Sequence, residues 1–215
     1  MTKLFPLVLS FILCGCSSTT SFVASPDERK PNFLVITTDD MGYTDLGAFG
    51  GHDIPTPNLD ALAMEGIRLT NFHANVSCAP TRAMLLSGTG NHEAGMGSQQ
   101  ALEIFAGKKG YESHISYRVA TIPERLFANG YHTYMSGKWH LVSEDDLGTL
   151  PGNRGFERSF ALMPGGFDHY KLLPGEEVPS SGRGVSAVPY SEDGEMLDHE
   201  DIPVSYTHLT LPTKA

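Results

Sequence analysis

NFLVITTDD, at residues 32–40, is the stretch from which the fold class can be predicted. Residues 33–38 are apolar and rich in β-branched side chains without polar alternation, which is typical of a strand buried on both faces of a parallel sheet. Two carboxylates, Asp39 and Asp40, follow at once. Because open α/β sheets bind ligands at the carboxyl ends of their strands, the sequence predicts a site at this point.

Helix and strand signals alternate after this predicted strand. The expected elements are a helix from Pro57 that ends at Gly66, a strand over 67–72, helices over 80–86 and 121–128, and a strand over 131–135 that leads into Gly137. After Asn153, glycine, proline and acidic residues dominate, which predicts loops with short strands. The alternation predicts an α/β fold with a central, largely parallel sheet flanked by helices.

Composition limits the class of protein. The chain has 215 residues, of which 40% are hydrophobic and 19% charged, which is typical of one globular domain. Its formal net charge of −10 argues against a nucleic-acid partner, because phosphate binding requires a basic surface.

The N-terminus resembles an export signal. Lys3 precedes an apolar run at residues 4–13, which is too short to span a bilayer as a helix. The sequence LCGC that ends at Cys16 resembles a bacterial lipobox, so we expect residues 1–16 to be a lipoprotein signal peptide, Cys16 to carry the lipid, and residues 17–30 to be a flexible tether. The protein would then be a periplasmic or outer-membrane lipoprotein, held to the membrane by its lipid alone. The alternative is ordinary signal cleavage without a lipid.

CAPTR, at residues 78–82, is the strongest candidate for chemistry. With Cys14 removed and Cys16 lipidated, Cys78 is the remaining thiol, and a single leftover cysteine in an exported protein indicates a special role. The alternative is a small buried cysteine that acts as an apolar residue. Arg82 lies close to one helical turn beyond Cys78, so its fixed charge would be near the sulfur.

Two further groups of residues suggest a site. Lys138 and His140 alternate around Trp139 at a predicted strand end, so their side chains should face the same side. Asp39 and Asp40 suit a hard divalent cation, since carboxylate oxygens match calcium or magnesium. The alternative for the aspartates is an ordinary loop or helix-cap pair.

NFLVITTDD, CAPTR and GKWH (residues 137–140), in this order, resemble the motifs of the type I sulfatases, over roughly residues 31–203. The resemblance implies an alkaline phosphatase/sulfatase-like α/β fold. It also implies that a formylglycine-generating enzyme converts Cys78 to formylglycine, whose hydrate attacks the sulfur of a sulfate ester.

The resemblance assigns roles to the other candidate residues. Asp39, Asp40 and the modified Cys78 would bind calcium, and Arg82 would hold the oxyanion of the hydrate and anchor its loop. Lys138 would bind sulfate oxygens, and His140 would exchange a proton with the formylglycine hydroxyl. The expected activity is hydrolysis of sulfate monoesters, aryl sulfates above all, on a sulfated small molecule or glycan.

Two other functions stay open at this point. Some proteins with this nucleophile prefer phosphonate or phosphate monoesters. A protein of another class, a catalytically dead lipoprotein that binds sulfated glycans, would keep the motifs without turnover.

The family completes its site with a second histidine, a second lysine and further metal ligands from later sequence, and none of these can be assigned here. We therefore expect residues 31–203 to be the N-terminal part of a sulfatase catalytic domain, inactive alone. Residues 204–209, VSYTHL, match a reading frame of a transposon end used in sequencing libraries, so we expect residues 204–215 to be adapter read-through.

Overall fold

A computed structural model describes residues 30–99, 102–143, 146–165 and 190–197. The predicted signal peptide, the lipidation site Cys16, almost all of the tether and residues 204–215 lie outside this described part. Within it, no helix has both the length and the apolar character needed to cross a bilayer.

Residues 30–40 belong to the first of two compact units into which the chain divides, residues 1–40 and 41–215. They run without helix or strand, so the strand predicted over 33–38 is wrong. The side chains from Phe33 to Ile36 are each more than 60% exposed. A strand buried on both faces needs hydrogen-bonded neighbours and covering layers, and the sheet of the described residues does not include this segment.

The described part of the second unit forms three α-helices: α1 at Pro57–Glu65, α2 at Cys78–Ser87 and α3 at Ile122–Ala128. Short 3-10 helices lie at Tyr43–Asp45, Gly47–Phe49, Glu103–Phe105, Leu147–Thr149 and Pro151–Arg154. The predicted start of α1 at Pro57 is confirmed, and so is its end, where the Gly66 N–H donates to the carbonyl of Leu62. None of its residues is buried.

The strand predicted over 67–72 is not formed either. Ile67 is 90% exposed, and Leu69 and Phe72 are exposed as well. As with residues 33–38, the alternation of apolar and polar residues fits a strand, but a strand also needs an adjacent strand, and the described sheet supplies none here.

The predicted helix α3 is confirmed, and its N-terminus explains why it forms. The Thr121 hydroxyl accepts a hydrogen bond from the Glu124 N–H (3.2 Å), and the Glu124 carboxylate accepts one from the Thr121 N–H (2.7 Å). This reciprocal capping satisfies two backbone donors that a helix start leaves without partners.

Among the described residues, four strands form one sheet in the order β1-β2-β3-β4: β1 at Tyr134–Lys138, β2 at Arg158–Leu162, β3 at Tyr190–Glu192 and β4 at Glu195–Met196. The β1–β2 pair is parallel, and the other two pairs are antiparallel. The predicted α/β class is confirmed, with a mixed sheet in the described part of the chain. Strand β1 begins three residues later than predicted because the Tyr131 N–H still donates to Leu126 at the end of α3.

The apolar core of the second unit joins α2 to β1, β2 and the loops around them. Its buried members are Ala79, Ala83, Ala94, Met96, Ile115, Val119, Trp139, Leu141, Leu150, Ala161 and Met163. Both α2 and the end of β1 contribute to this cluster, so the core brings the CAPTR and GKWH segments into one region.

Arg154 is a buried cation that ties several loops together, with a side chain only 2% exposed. Its guanidinium donates to the Glu124 carboxylate (2.7 Å) and to the carbonyls of Ile115 and Val119 (2.8 Å each). Burial alone would raise the pKa of Glu124, but hydrogen bonds from Arg154 and from the Thr121 N–H outweigh it and lower that pKa.

Candidate active site

Cys78 is the first residue of α2, which begins two residues earlier than the predicted start at Pro80. Ser77 precedes it in an extended conformation (φ −150°, ψ 165°). Pro80 is tolerated as the third helical residue because the first four N–H groups of a helix have no intrahelical acceptor. Ala79 and Pro80 are buried, while Cys78 stays half-exposed at the positive end of the helix dipole.

The structure brings Cys78 and His140 together across 62 positions of sequence, with Sγ 3.3 Å from Nδ1. His140 has a left-handed backbone conformation, with φ of 56°. For a residue other than glycine this conformation costs about 1–2 kcal/mol and persists only where the surroundings hold it in place. Such a backbone is typical of functional sites, and here it accompanies the contact with Cys78.

Arg82 supplies part of this restraint from α2. Its Nε donates to the carbonyl of Trp139 (2.8 Å), and its Nη2 donates to the carbonyl of Lys138. These contacts do not test the role that the resemblance implies for Arg82 at the oxyanion of the hydrate, which stays a prediction. They show that the guanidinium anchors the backbone of the GKWH segment, which the CAPTR motif did not reveal.

The two peptide groups on either side of Trp139, whose carbonyls bond to Arg82, also bond through their N–H groups to strand β2 and the residue after it. The Trp139 N–H donates to the carbonyl of Leu162 (2.7 Å), and the His140 N–H donates to the carbonyl of Met163 (3.1 Å). Trp139 is fully buried, while Lys138 and His140 on either side of it are half-exposed. This alternation is consistent with the expectation that Lys138 and His140 face one side.

The indole of Trp139 makes a further contact that sequence reasoning missed. Its Nε1–H donates to the carbonyl of Thr149 (2.9 Å), and its ring lies perpendicular to that of Phe156, with the centroids 6.2 Å apart. The sign of this contact in the sequence is the tryptophan itself. It is the chain's only tryptophan and lies inside GKWH. Gly165, also missed, lies against the His140 ring, where a Cβ would be 2.6 Å from Nε2.

Asp39 and Asp40 lie in the unit of residues 1–40, whereas Cys78, Arg82 and His140 lie in the other unit. Both aspartates are exposed, and Asp40 has φ of 53°. Their oxygens suit calcium chemically, but two carboxylates supply at most about four of the six to eight oxygens that calcium takes. Among the described residues, no group of three or more His, Cys, Asp or Glu is placed to hold a metal.

Comparison with known proteins gives consistent results. Residues 31–199 match the protein family described as Sulfatase. An uncharacterized sulfatase of Schizosaccharomyces pombe is 45% identical over 195 residues, covering 87% of this chain and 34% of that protein. An arylsulfatase of Klebsiella aerogenes is 38% identical over 199 residues, covering 93% of this chain and 40% of that protein.

Solved structures agree with the sequence relatives. The crystal structure of Ps i-CgsB superposes with a TM-score of 0.62 at 29% identity, over 79% of this chain and 37% of that one. A second structure of Ps i-CgsB, in complex with k-i-k-neocarrahexaose, has a TM-score of 0.52 at 25% identity, over 74% and 35%. The chain thus spans about a third to two fifths of the length of these proteins. On the match over residues 31–199 and on these identities, the chain belongs to the sulfatase family.

Proposed function

We propose that this protein hydrolyses sulfate monoesters, with residue 78 acting as formylglycine and with calcium bound by Asp39 and Asp40. The observation that carries the proposal is the pairing of Cys78 Sγ with His140 Nδ1 at 3.3 Å, at the first residue of α2. A nucleophile within hydrogen-bond reach of a base is the arrangement that covalent catalysis needs.

In the unmodified chain, Sγ of Cys78 stands where the modified residue would carry a hydroxyl oxygen. Modified residue 78 would supply a geminal diol. One hydroxyl would attack sulfur and displace the alcohol of the ester, which leaves with a proton, and the other would then lose its proton and re-form the aldehyde as its carbon releases sulfate. His140 Nδ1 is within reach of a proton on that oxygen, so the imidazole can take up the proton or give it back.

The surrounding charge favours an anionic substrate. Residue 78 is at the N-terminus of the ten-residue helix α2, where backbone N–H groups and the helix dipole favour negative charge. Lys138, at the end of β1, would bind sulfate oxygens, and the guanidinium of Arg82 adds a fixed positive charge beside the same backbone.

The two aspartates have the hard oxygen donors that calcium takes. Asp39 and Asp40 would hold the ion, which would supply Lewis-acid chemistry when bound. Two carboxylates supply at most about four of the six to eight oxygens that calcium takes, and further ligands would supply the rest.

The substrate that we propose is an aryl sulfate or a sulfated glycan. An arylsulfatase of Klebsiella aerogenes is among the relatives, which supports the first, and the Ps i-CgsB complex with an oligosaccharide supports the second. A formylglycine-generating enzyme is the partner that the modification requires.

The test starts with the tryptic peptide of residues 69–82, which contains Cys78 and ends at Arg82. Conversion replaces the thiol by an aldehyde and lowers the peptide mass by about 18 Da. Turnover of paired aryl sulfate and aryl phosphonate esters is then measured on the complete protein encoded at the locus, with Cys78→Ala as the control.

Mass loss together with faster sulfate turnover, abolished in Cys78→Ala, supports the proposal. An unmodified cysteine in active protein would contradict the nucleophile. Faster phosphonate turnover would identify a phosphonate hydrolase instead. Binding of a sulfated glycan without turnover of any ester would identify a binding protein that is catalytically dead.

A further inference from the structure

We propose that Trp139 is a positioning residue, whose indole hydrogen bond to Thr149 fixes the exit of β1 so that His140 meets Cys78. The inference rests on the proposed function only in treating Cys78 and His140 as the reacting pair. Trp139 lies between Lys138 and His140, the two residues of GKWH to which the resemblance assigns chemistry. The inference gives this tryptophan a role beyond filling the core.

The indole is held in one orientation. Trp139 has no exposed surface, and its Nε1–H donates to the carbonyl of Thr149 at 2.9 Å. A buried donor left without an acceptor costs about 1–3 kcal/mol, so rotating the indole away from Thr149 is unfavourable. The ring of Phe156 packs edge-on against the indole, with the centroids 6.2 Å apart.

The acceptor is itself fixed. Thr149 is fully buried, and its Oγ1 and backbone N donate to the carbonyl of Asp146 at 2.8 and 3.3 Å. The Asp146 carboxylate in turn accepts from the Tyr117 hydroxyl (2.9 Å) and from the Gly148 N–H (3.1 Å). The Thr149 carbonyl therefore belongs to a turn tied to a second loop, and it can act as a fixed reference for the indole.

The backbone transmits this restraint to His140. Each of the two peptide groups beside Trp139 makes hydrogen bonds in both directions. Their carbonyls accept from Arg82, and their N–H groups donate to the carbonyls of Leu162 and Met163. A shift of the Trp139 backbone would therefore move both groups together. The 3.3 Å contact between Cys78 and His140 would not survive a shift of about 1 Å, since hydrogen bonds weaken steeply with distance.

The experiment measures the reactivity of Cys78 in the 215-residue chain, expressed without a formylglycine-generating enzyme. Cys14→Ala and Cys16→Ala leave Cys78 as the one thiol. The rate of alkylation by iodoacetamide is measured as a function of pH in this parent chain, in His140→Gln and in Trp139→Phe. The resulting curve of rate against pH is the profile of each protein. His140→Gln defines the part of the profile that depends on the imidazole, because thiol reactivity follows its charged neighbours.

We expect Trp139→Phe, which keeps an aromatic ring but loses the N–H, to remove at least about half of the difference between the parent and His140→Gln profiles. The control is Phe156→Leu, which loosens the packing around the indole but leaves its hydrogen bond. Phe156→Leu should lower the melting temperature and keep the parent profile. Circular dichroism checks that each variant is folded.

A folded Trp139→Phe with the parent profile would overturn the inference, and so would a Phe156→Leu that shifts the profile as far as Trp139→Phe does. If Trp139→Phe does not fold, Thr149→Val takes its place, because it removes the hydroxyl that orients the Thr149 turn. A profile between those of the parent and His140→Gln then supports the inference, and a parent profile overturns it.

The readout needs no formylglycine, calcium or substrate, so the two proposals can fail separately. Absence of conversion or turnover would contradict the proposed function and leave the alkylation profiles unaffected. A parent profile in His140→Gln would show that the Cys78–His140 contact has no chemical effect, and the positioning role would fall with it.

Discussion

Arg154→Met should be among the most destabilising single substitutions in the second unit. The guanidinium is 2% exposed and bonds to the Glu124 carboxylate and to the carbonyls of Ile115 and Val119. Methionine fills much of the same space but can donate to none of them. The substitution leaves two backbone carbonyls without their donors and a partly buried carboxylate without its cation.

The magnitude follows from these contacts. Removing one partner of a buried ion pair costs about 3–5 kcal/mol, most of it because the other charge is left uncompensated. Glu124 is about one third exposed, so water recovers part of that cost, while each orphaned carbonyl adds about 1 kcal/mol. The net loss should be about 4 kcal/mol. For a chain of this size the melting temperature should fall by about 10 °C.

Urea unfolding followed by far-ultraviolet circular dichroism measures this loss. The matched control is Arg158→Met, because Arg158 forms the same type of pair with Asp193 at 2.6 Å, but with side chains 65% and 36% exposed. Exposed pairs contribute at most about 1 kcal/mol, so this control should change little. If Arg154→Met costs no more than Arg158→Met, the reasoning from burial is wrong.

Three further predictions concern α3 and the metal. Because folding lowers the pKa of Glu124, its carboxylate stabilises the folded state at pH values above the ordinary pKa of 4.5, and this stabilisation disappears as the pH falls through the lowered pKa of the folded state. Glu124→Gln should therefore show a smaller drop in melting temperature between pH 7 and about pH 3. Gly155→Ala should cost more than about 2 kcal/mol in urea unfolding, because φ is 93° and the new Cβ would overlap the Glu124 backbone; Gly107→Ala, at φ of 71° with open space around it, should cost only about 1–2 kcal/mol. Asp40→Asn should weaken calcium binding by calorimetry at least about tenfold in the complete protein, and unchanged affinity would exclude this carboxylate as a ligand.

Local signals predicted the helices well. Pro57 and Gly66 set the two ends of α1, and the Thr121–Glu124 pair set the start of α3, because caps and breakers act within one turn of the chain. The start of α2 was placed at Pro80 instead of Cys78, since proline was expected in the first helical position and lies in the third. The predicted start is two residues too late, and the structure includes Cys78 as the first residue of the helix.

The strands were predicted less well, for a non-local reason. Residues 33–38 and 67–72 have strand-like composition, but neither forms a strand in the described part of the chain. A strand depends on its neighbours in the sheet, and no local pattern reports whether they are present. Strand β1 was placed three residues early because a period-two pattern does not show where α3 stops bonding to Tyr131.

The residues of the candidate site could be predicted, but most of their contacts could not. The motifs named Cys78, Arg82, Lys138 and His140, and all four make contacts that link the two segments, Lys138 through its backbone carbonyl. Nothing in CAPTR indicates that Arg82 bonds to two carbonyls 56 and 57 positions away. The left-handed backbone of His140 and the acceptor for Trp139 were equally invisible, because both depend on how distant loops pack.

The placement of Trp139 makes the intrinsic fluorescence of this chain a local measurement. It is the only tryptophan among 215 residues, it is fully buried, and it lies between the two residues that GKWH contributes to the site. Its emission should be blue-shifted in the folded chain and quenched weakly by iodide, which cannot reach the ring. Alkylation of Cys78 can then be followed optically without any attached dye, and the rest of the chain contributes no competing indole signal.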